Sequence, residues 1–350
     1  MLVQPRVWIS HRQRRAGGLP RLRLSAAHDE WNHVGIALAA IELGFLAEEG
    51  LDDVELITFP EDAGALLDRE QFQADLLASG TVDVGIDPRT TFIVEGRAQG
   101  KPLAIVAARR KNHAFLVVGQ KGLQSLDDLR GMTLHMSQRG GATDVMLRRV
   151  LKDSAIDPDE DVTIRYVGGE MHNASHVIAA FRAGDYGPAI LTSFKDSLDH
   201  LIKDGYPVLA DLRSRYPSRH DRVTAANSNF VARHPESVKG LLKGMIRACN
   251  WVLDPGNGPR FKQIIVDAGY MTSDREQANF DGLFYGWQER VSRDLTLPRD
   301  GIELIVNEIK QDGRIAPSFD VDDVLALAPL AAAQAEVLGA TSPASERSVS

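Results

Sequence analysis

The stretch GFLAEEGL at residues 44–51 and the later stretch LASGTVDVGI at residues 77–86 decide the predicted fold. Glycine often follows the last turn of a helix, so Gly44 predicts the end of the apolar, alanine-rich helix that precedes it. An apolar strand pattern lies between the two stretches, and the second stretch ends in another strand and a loop that can face a ligand. This alternation of strands and helices predicts an α/β fold with mainly parallel sheets.

The rest of the chain extends this pattern into a second lobe. A new set of strand and helix patterns begins with FLVV at residues 115–118, and a polar, arginine-rich connection at residues 213–222 leads back towards the first lobe. Helical patterns dominate from residue 237 onward. Because 350 residues exceed the usual size of one domain, we expect two lobes, each with its own core.

Composition excludes several classes of function. The chain has 40 basic and 48 acidic residues, a net charge of −8, which opposes binding to nucleic acid or anionic lipid. No window approaches the roughly 20 apolar residues that cross a bilayer, so no membrane span is expected. The single Cys249 excludes an intrachain disulfide and a multi-cysteine metal site, and its helical context predicts a buried packing residue.

The two ends of the chain are predicted to lie outside the lobes. Residues 1–20 are predicted to be an irregular basic extension without the apolar segment of a secretory signal, and residues 341–350 a disordered tail. The sequence as written therefore predicts a cytoplasmic protein. A misassigned start codon would hide an export signal, and the prediction would then be a periplasmic protein.

Five short motifs resemble those of one known family. They are GFLAEEGL at 44–51, ASGTVDVG at 78–85, SLDDLRG at 125–131, FRAGDY at 181–186 and RHPESV at 233–238. Their order and content resemble the type II periplasmic binding proteins of the sulfonate, nitrate and thiamine-precursor transport group, which share a domain with the thiamine pyrimidine synthases. The resemblance covers roughly residues 21–330.

The resemblance implies a two-lobed, type II periplasmic-binding-protein-like fold with two crossover strands. One lobe would comprise residues 21–110 plus 224–340 and the other residues 111–223. It further implies a monomeric solute-binding component of an ABC-type transport system, with hinge closure over a small anionic or planar heterocyclic ligand. An ABC permease and its ATPase would be the partners of an exported chain, and no cofactor is implied.

Ligands of open α/β sheets bind beyond the carboxyl ends of the strands, so the loops at those positions supply the candidate residues. The loop at residues 27–33 offers an aromatic wall and polar groups from His28, Trp31, Asn32 and His33. An alternative interpretation stays open here, in which Asp29 or Asn32 caps the following helix and Trp31 packs at the lobe edge.

The loop at residues 87–91 contributes Asp87, Arg89, Thr90 and Thr91. An arginine at a helix start can pair bidentately with a carboxylate, sulfonate or phosphate. Asp87 can instead serve as the cap of the following helix, and Arg89 can be an exposed residue without a specific partner.

The loop at residues 137–144 is the best candidate for an anion site, with Ser137, Gly140, Gly141 and Thr143. Glycines between a strand and a helix let backbone N–H groups approach an anion, and the helix dipole attracts negative charge. The alternative is a plain strand-to-helix turn with Thr143 or Asp144 as its cap. The remaining candidates for ligand contact are Glu170, His172, Asn173, Thr192, Ser193 and Asn227.

An enzyme on the same fold is the alternative function. Thiamine pyrimidine synthase activity is not expected, because Asp87 and Thr91 stand where that family carries Lys and His, and its cysteine-rich iron-binding run is absent. A cytoplasmic decarboxylase or hydrolase stays open, with acid or base groups drawn from His28, His33, Glu170 and His172. The spacing of His28 and His33 does not match metal ligands on a helix, so no metal site is expected.

Overall fold

The computed structural model describes residues 5–9, 19, 21–59, 66–111, 115–168, 174–192 and 195–339. The strands in these ranges are β1 (Arg6–Ile9), β2 (Leu22–Ala26), β3 (Val54–Thr58), β4 (Val84–Ile86), β5 (Leu103–Ala107), β6 (Leu116–Gly119), β7 (Thr133–Met136), β8 (Thr163–Tyr166), β9 (Ala189–Thr192), β10 (Val208–Asp211) and β11 (Thr224–Asn227). The helices are α1 (Trp31–Glu42), α2 (Phe45–Glu48), α3 (Leu66–Ser79), α4 (Thr90–Ala98), α5 (Ala142–Lys152), α6 (Ala174–Ala183), α7 (Lys195–Lys203), α8 (Leu212–Arg215), α9 (Ser228–Arg233), α10 (Pro235–Val252), α11 (Gly258–Asp267), α12 (Asp274–Gln288), α13 (Arg299–Gln311) and α14 (Ala328–Gly339).

The chain divides into two compact units. Unit 1 comprises residues 1–111 and 220–350, and unit 2 comprises residues 112–219. Unit 2 is therefore one continuous segment inserted between two segments of unit 1. The α/β fold class predicted from the sequence is confirmed.

Unit 1 contains a sheet with the strand order β1-β3-β2-β4-β11-β5 within the described residues. Strand β2 runs parallel to both β3 and β4, whereas β11 runs antiparallel to both β4 and β5. Strand β5 consequently points in the same direction as β4. Four strands of this sheet thus share one direction, and β11 runs against them because it enters from the opposite end after the chain returns from unit 2.

Strand β1 corrects the prediction for the start of the chain. Residues Arg6–Ile9 form an edge strand that pairs antiparallel with β3, although an irregular extension was expected for residues 1–20. Alternate residues of this strand are exposed, and Trp8 on the less exposed side packs against the core of unit 1. The guanidinium of Arg6 also donates a hydrogen bond of 3.0 Å to the carbonyl of Ala268. These contacts stabilise β1. The strand is hard to predict from the sequence because it is only four residues long.

The opening motifs form the elements that their residues predict. Helix α1 is buried around most of its circumference, and Gly44 follows it with a φ of 85°, the left-handed conformation that favours glycine after a helix. Asp83 of the VDVG motif accepts hydrogen bonds from the backbone N–H of Arg23 at 2.8 Å and from the guanidinium of Arg23 at 2.7 Å. This pairing fixes β4 beside β2.

Unit 2 contains two smaller sheets within the described residues. Strands β10, β6 and β9 form an antiparallel sheet, and β7 and β8 form a parallel pair. Its core includes Val118, Phe181, Ile190 and Leu201, all essentially inaccessible to solvent. The predicted disordered tail at residues 341–350 lies outside the described residues.

Two further observations concern the whole described chain. Cys249 is fully buried on α10, which confirms its predicted packing role. Among the described residues, no helix combines the length and the apolar character needed to cross a bilayer.

Candidate functional site

A buried group of charged residues lies at the carboxyl end of the unit 1 sheet. His28 follows β2, Asp87 follows β4 directly, and Arg109 and Arg110 follow β5. Since these three strands share one direction, their ends meet at the same edge, where ligands of open α/β sheets bind. We call this group the strand-end cluster, and its members are His28, Glu30, His33, Glu70, Asp87, Arg89, Arg109, Arg110 and Arg222.

Asp87 is the acidic centre on one side of the strand-end cluster. Its carboxylate is 2% exposed and accepts hydrogen bonds from Arg109 and, at 2.7 Å, from Arg110. Burial raises the pKa of Asp87, but the charges of Arg109 and Arg110 outweigh it and hold that pKa well below its ordinary value. The φ of Asp87 is 58°, a conformation uncommon for a residue with a side chain and typical of sites under functional constraint.

Glu70 of α3 is the acidic centre on the other side. Its side chain is fully buried, accepts a 2.6 Å hydrogen bond from Arg89 and pairs with Arg222. Burial raises the pKa of Glu70, but the positive charge of Arg222 and the proximity of His28, whose Nε2 lies 3.4 Å away, lower it well below its ordinary value. The backbones of Arg89 and Arg222 also form a bridge, which holds both guanidiniums beside the carboxylate.

Two histidines lie between these acidic centres. The rings of His28 and His33 are stacked, with centroids 4.1 Å apart and planes 13° from parallel. His33 is 9% exposed, and burial followed by the charge of His28 holds its pKa well below the ordinary value, so its imidazole is neutral at neutral pH. Its Nδ1 lies 3.1 Å from the carboxylate of Asp87.

Glu30 completes the strand-end cluster at the start of α1. Its Oε2 lies 3.2 Å from Nδ1 of His28 and 4.0 Å from Nε2 of His33. The carboxylate of Glu30 and the two imidazoles can supply three ligand atoms to one metal ion, since these atoms all lie within 4.8 Å of one another. The spacing of His28 and His33 in the sequence did not predict this, because only His33 lies on the helix.

The strand-end cluster has more cationic than anionic side chains. It contains four arginines against the three carboxylates Glu30, Glu70 and Asp87. Burial and the nearby positive charges of Arg109 and Arg290 lower the pKa of Arg110 to about 9, against the opposing effect of Asp87. Within the described residues, Nε and Nη1 of Arg109 and Nε of Arg110 are buried without a hydrogen-bond acceptor. These N–H groups are therefore donors whose hydrogen-bonding capacity an anion could satisfy.

The first predicted loop combines site residues with packing residues. Trp31 packs against Phe261, Phe280 and Trp287, with ring centroids 5.0–6.4 Å apart, as the packing alternative predicted. The backbone carbonyl of Asn32 accepts a 3.0 Å hydrogen bond from the indole N–H of Trp287. Neither Asp29 nor Asn32 caps α1, because Glu30 occupies the cap position without a side-chain hydrogen bond.

The second predicted loop is integrated into the strand-end cluster through Asp87 and Arg89. Asp87 does not cap α4, whose cap position is Arg89, because its carboxylate is turned towards Arg109 and Arg110. Thr90 is fully buried and its hydroxyl donates to the carbonyl of His220, while Thr91 is half-buried on the first turn of α4.

Asn227 at the end of β11 is engaged in structural hydrogen bonds. Its side-chain oxygen accepts from the N–H groups of Asn229 and Phe230 at 3.0 and 3.3 Å, and its amide donates to the carbonyl of Leu77 at 2.7 Å. The side chain thus caps α9 and ties it to α3. These bonds use both the oxygen and the amide of the Asn227 side chain, and its contact with a ligand stays a prediction.

In unit 2, the glycine loop has internal partners for its backbone donors. The N–H of Gly140 donates to the carboxylate of Asp144 at 2.7 Å, and that of Gly141 donates to the carbonyl of Gln138 at 3.3 Å. Asp144 is itself 1% exposed, and its carboxylate pairs with Arg148 at 3.1 Å. The cap position of α5 is Gly141, without a side-chain bond, so neither Thr143 nor Asp144 is its cap.

Ser137 and Thr192, at the ends of β7 and β9, are 8% and 4% exposed. The predicted contacts Glu170, His172, Asn173 and Ser193 lie outside the described residues. The sequence pattern missed Glu30, Glu70, Arg109, Arg110 and Arg222, five members of the strand-end cluster. The sequence does contain a signal for Arg109 and Arg110, because these two basic residues end the apolar run at residues 103–108.

Comparison with solved structures establishes the fold class. A periplasmic sulfonate-binding protein SsuA of a sulfonate ABC transporter from Methylobacillus flagellatus KT superposes with a TM-score of 0.65 at 16% identity, covering 93% of this chain and 96% of that chain. The periplasmic nitrate-binding protein NrtA from Synechocystis PCC 6803 superposes with a TM-score of 0.60 at 16% identity, covering 91% of this chain and 89% of the other. The chain therefore has the fold of type II periplasmic binding proteins.

Sequence comparison identifies the family. The model of the family described as NMT1/THI5 like matches residues 30–257, and the chain belongs to this family. A bicarbonate transport ATP-binding protein, CmpC from Synechococcus elongatus, is 21% identical over 278 residues, which cover 75% of this chain and 40% of the relative. The chain thus spans about two fifths of the length of the curated relatives it matches.

Proposed function

We propose that the protein is the solute-binding component of an ABC-type import system and that the arginines of its strand-end cluster bind an anionic group of the solute. The observation that carries the proposal is the set of buried guanidinium N–H groups of Arg109 and Arg110 without an acceptor among the described residues. Buried donors without acceptors destabilise a protein, and an anion that accepts from them removes this cost.

Electrostatics favours the same class of solute. Asp87 accepts from both Arg109 and Arg110, so one carboxylate faces two guanidiniums. The lowered pKa of Arg110 reflects the crowding of positive charges in a buried place. An incoming carboxylate, sulfonate, nitrate or bicarbonate group would reduce that repulsion and bind through charge-assisted hydrogen bonds.

The compared proteins support a small anion. Their names refer to sulfonate, nitrate and bicarbonate, which are all anions with planar or tetrahedral arrays of oxygen atoms. The names of these proteins also place them in transport systems, which supports an ABC permease and its ATPase as partners of this chain. The description of the compared binding proteins as periplasmic supports a periplasmic location for this chain.

Binding is favoured over catalysis, the alternative inferred from the sequence. The compared proteins belong to transport systems, and the acidic residues Glu70 and Asp87 are held as ions by arginines. A carboxylate with a lowered pKa is a weak base at neutral pH.

Isothermal titration calorimetry with nitrate, bicarbonate and a short alkanesulfonate tests the proposal, with a neutral alcohol of similar size as the negative control. We expect at least one anion to bind, and Arg110→Gln to weaken its affinity about 10-fold or more because a charged hydrogen-bond donor is lost. Arg110→Lys keeps the positive charge but loses the planar guanidinium, which can donate two parallel hydrogen bonds to one anion. An affinity between those of the wild type and Arg110→Gln is therefore expected.

The matched control is Arg299→Gln, which removes an exposed arginine of the same unit that pairs with Asp322. Its affinity for the anion should equal that of the wild type. Binding of none of the anions, or equal affinities of the wild type and Arg110→Gln, would contradict the proposal.

A further inference from the structure

Three side chains of unit 1 hold possible metal-binding atoms within 4.8 Å of one another. Oε2 of Glu30 lies 3.2 Å from Nδ1 of His28 and 4.0 Å from Nε2 of His33. Ligand atoms about 2.1 Å from a metal ion are separated by roughly 3–4 Å when the coordination is tetrahedral or octahedral. The two distances match this spacing.

The outer nitrogens of both imidazoles face buried carboxylates. Nε2 of His28 lies 3.4 Å from Glu70, and Nδ1 of His33 lies 3.1 Å from Asp87. A histidine that binds a metal commonly directs its other ring nitrogen at a carboxylate, which fixes the tautomer and raises the basicity of the ligand atom. In this chain both histidines have such a carboxylate, although Glu70 and Asp87 come from different elements.

The outer carboxylates already form ion pairs with arginines, whereas within the described residues Glu30 is paired only with the two histidines. Glu70 pairs with Arg89 and Arg222, and Asp87 pairs with Arg109 and Arg110. Within the described residues, the buried Oε2 of Glu30 accepts no hydrogen bond of good geometry. The carboxylate of Glu30 is thus the anionic ligand that remains for a cation.

We propose that His28, Glu30 and His33 form a binding site for a divalent transition-metal ion, with Glu70 and Asp87 as the positioning residues behind the two imidazoles. Two imidazole nitrogens and one carboxylate oxygen suit zinc or iron(II) and disfavour magnesium and calcium, which take mainly oxygen ligands. Three protein ligands leave coordination positions open. The rings have to turn out of their parallel stack on binding, because a metal ion lies in the plane of each imidazole that holds it.

The ligand atoms of this site differ from the guanidinium donors of the proposed anion site, although Asp87 contacts both groups, so zinc binding is measured without the anions. Zinc chloride is the probe, titrated by calorimetry into protein that carries no polyhistidine tag, in a buffer free of the candidate solutes. We expect one equivalent of zinc to bind, and magnesium to give no saturable binding. Cobalt(II) should give the absorption of a site with nitrogen and oxygen ligands and no thiolate charge-transfer band.

The decisive variants are Glu30→Gln and His33→Gln. Glu30 is partly exposed, so its substitution leaves the core intact. Each variant should weaken zinc binding about 100-fold or more, as expected for the loss of a direct ligand, and Asp87→Asn should weaken it about 10–100-fold. His200→Gln, which removes an exposed histidine of unit 2, is the control and should bind zinc as the wild type does.

Circular dichroism and thermal unfolding confirm that each variant is folded before its affinity is compared. If Asp87→Asn does not fold, Glu70→Gln tests the same positioning role behind His28. The absence of a saturable zinc site in the wild type overturns the proposal. Unchanged zinc affinity in folded Glu30→Gln and His33→Gln overturns it as well, because the metal would then be bound elsewhere.

Discussion

Gly187 lies so close to the backbone of Thr133 that a Cβ atom at position 187 would be 2.5 Å from the carbonyl oxygen of Thr133. Gly187 also has a φ of +77°. We expect Gly187→Ala to lower the free energy of unfolding by about 2–4 kcal/mol, because it adds left-handed backbone strain and a clash with an oxygen of β7 that is fixed by its sheet. Urea unfolding followed by circular dichroism measures the change.

The matched control for Gly187 is Gly184. Its φ is +88°, but a Cβ there would meet nothing within 4 Å among the described residues. Gly184→Ala should therefore cost only the backbone strain, about 1–2 kcal/mol. Equal losses for the two variants would show that the carbonyl of Thr133 can move aside.

Removal of the buried charge of Glu70 should destabilise unit 1 strongly. Glu70→Gln removes the buried carboxylate that pairs with Arg89 and Arg222, and breaking a buried ion pair typically costs about 3–5 kcal/mol. The exposed pair between Asp322 and Arg299 provides the comparison, since Asp322→Asn should cost less than about 1 kcal/mol. Chemical denaturation of both variants tests the contrast, and a loss below 1 kcal/mol for Glu70→Gln would refute a structural role of the pair.

Substitution of Asn227 should change stability without changing solute affinity. Asn227→Ala removes the cap of α9 and the hydrogen bond to Leu77, at an expected cost of about 1–2 kcal/mol. Asn227→Ser keeps a capping oxygen and should lose less. Thermal unfolding gives the stability, and calorimetry on the folded variants gives the affinity. A weaker affinity with unchanged stability would instead favour the ligand contact predicted from the sequence.

The thiol of Cys249 should be unreactive in the folded protein. Burial raises its pKa to about 12, so the thiolate is negligible between pH 7 and pH 9. A chromogenic disulfide reagent should react with the native protein only slowly, over hours. In denaturant it should label one thiol per chain at once. Ser79→Cys, at an exposed position, is the control and should react at an ordinary rate. Rapid labelling of the native wild type would argue for an accessible, chemically competent cysteine.

The predictable features are those set by neighbouring residues in the sequence. Gly44 gives a local signal for a helix end, and the VDVG motif gives one for β4, so both elements lie where they were predicted. Strand direction is different, because the antiparallel insertion of β11 between β4 and β5 depends on where the chain re-enters the sheet after 108 residues of unit 2. No local pattern contains that information.

The strand-end cluster was predicted only in part for the same reason. His28 and Asp87 follow strands and could be inferred, whereas Glu70 lies within α3 among residues DREQ, a pattern typical of an exposed helix face. It is buried because Arg89 and Arg222, 19 and 152 positions away, converge on its carboxylate. The pairing of distant charges is a tertiary property that overrides the usual exposure of charged residues.

The insertion of unit 2 into unit 1 has a consequence for the order of events during translation. When residue 219 has emerged from the ribosome, all of unit 2 is available to fold, but β11 has not emerged and β4 and β5 lack the partner that lies between them. The nascent chain must therefore hold an open sheet edge until residues 224–227 appear. We expect this interval to be the one in which the newborn polypeptide depends most on chaperones.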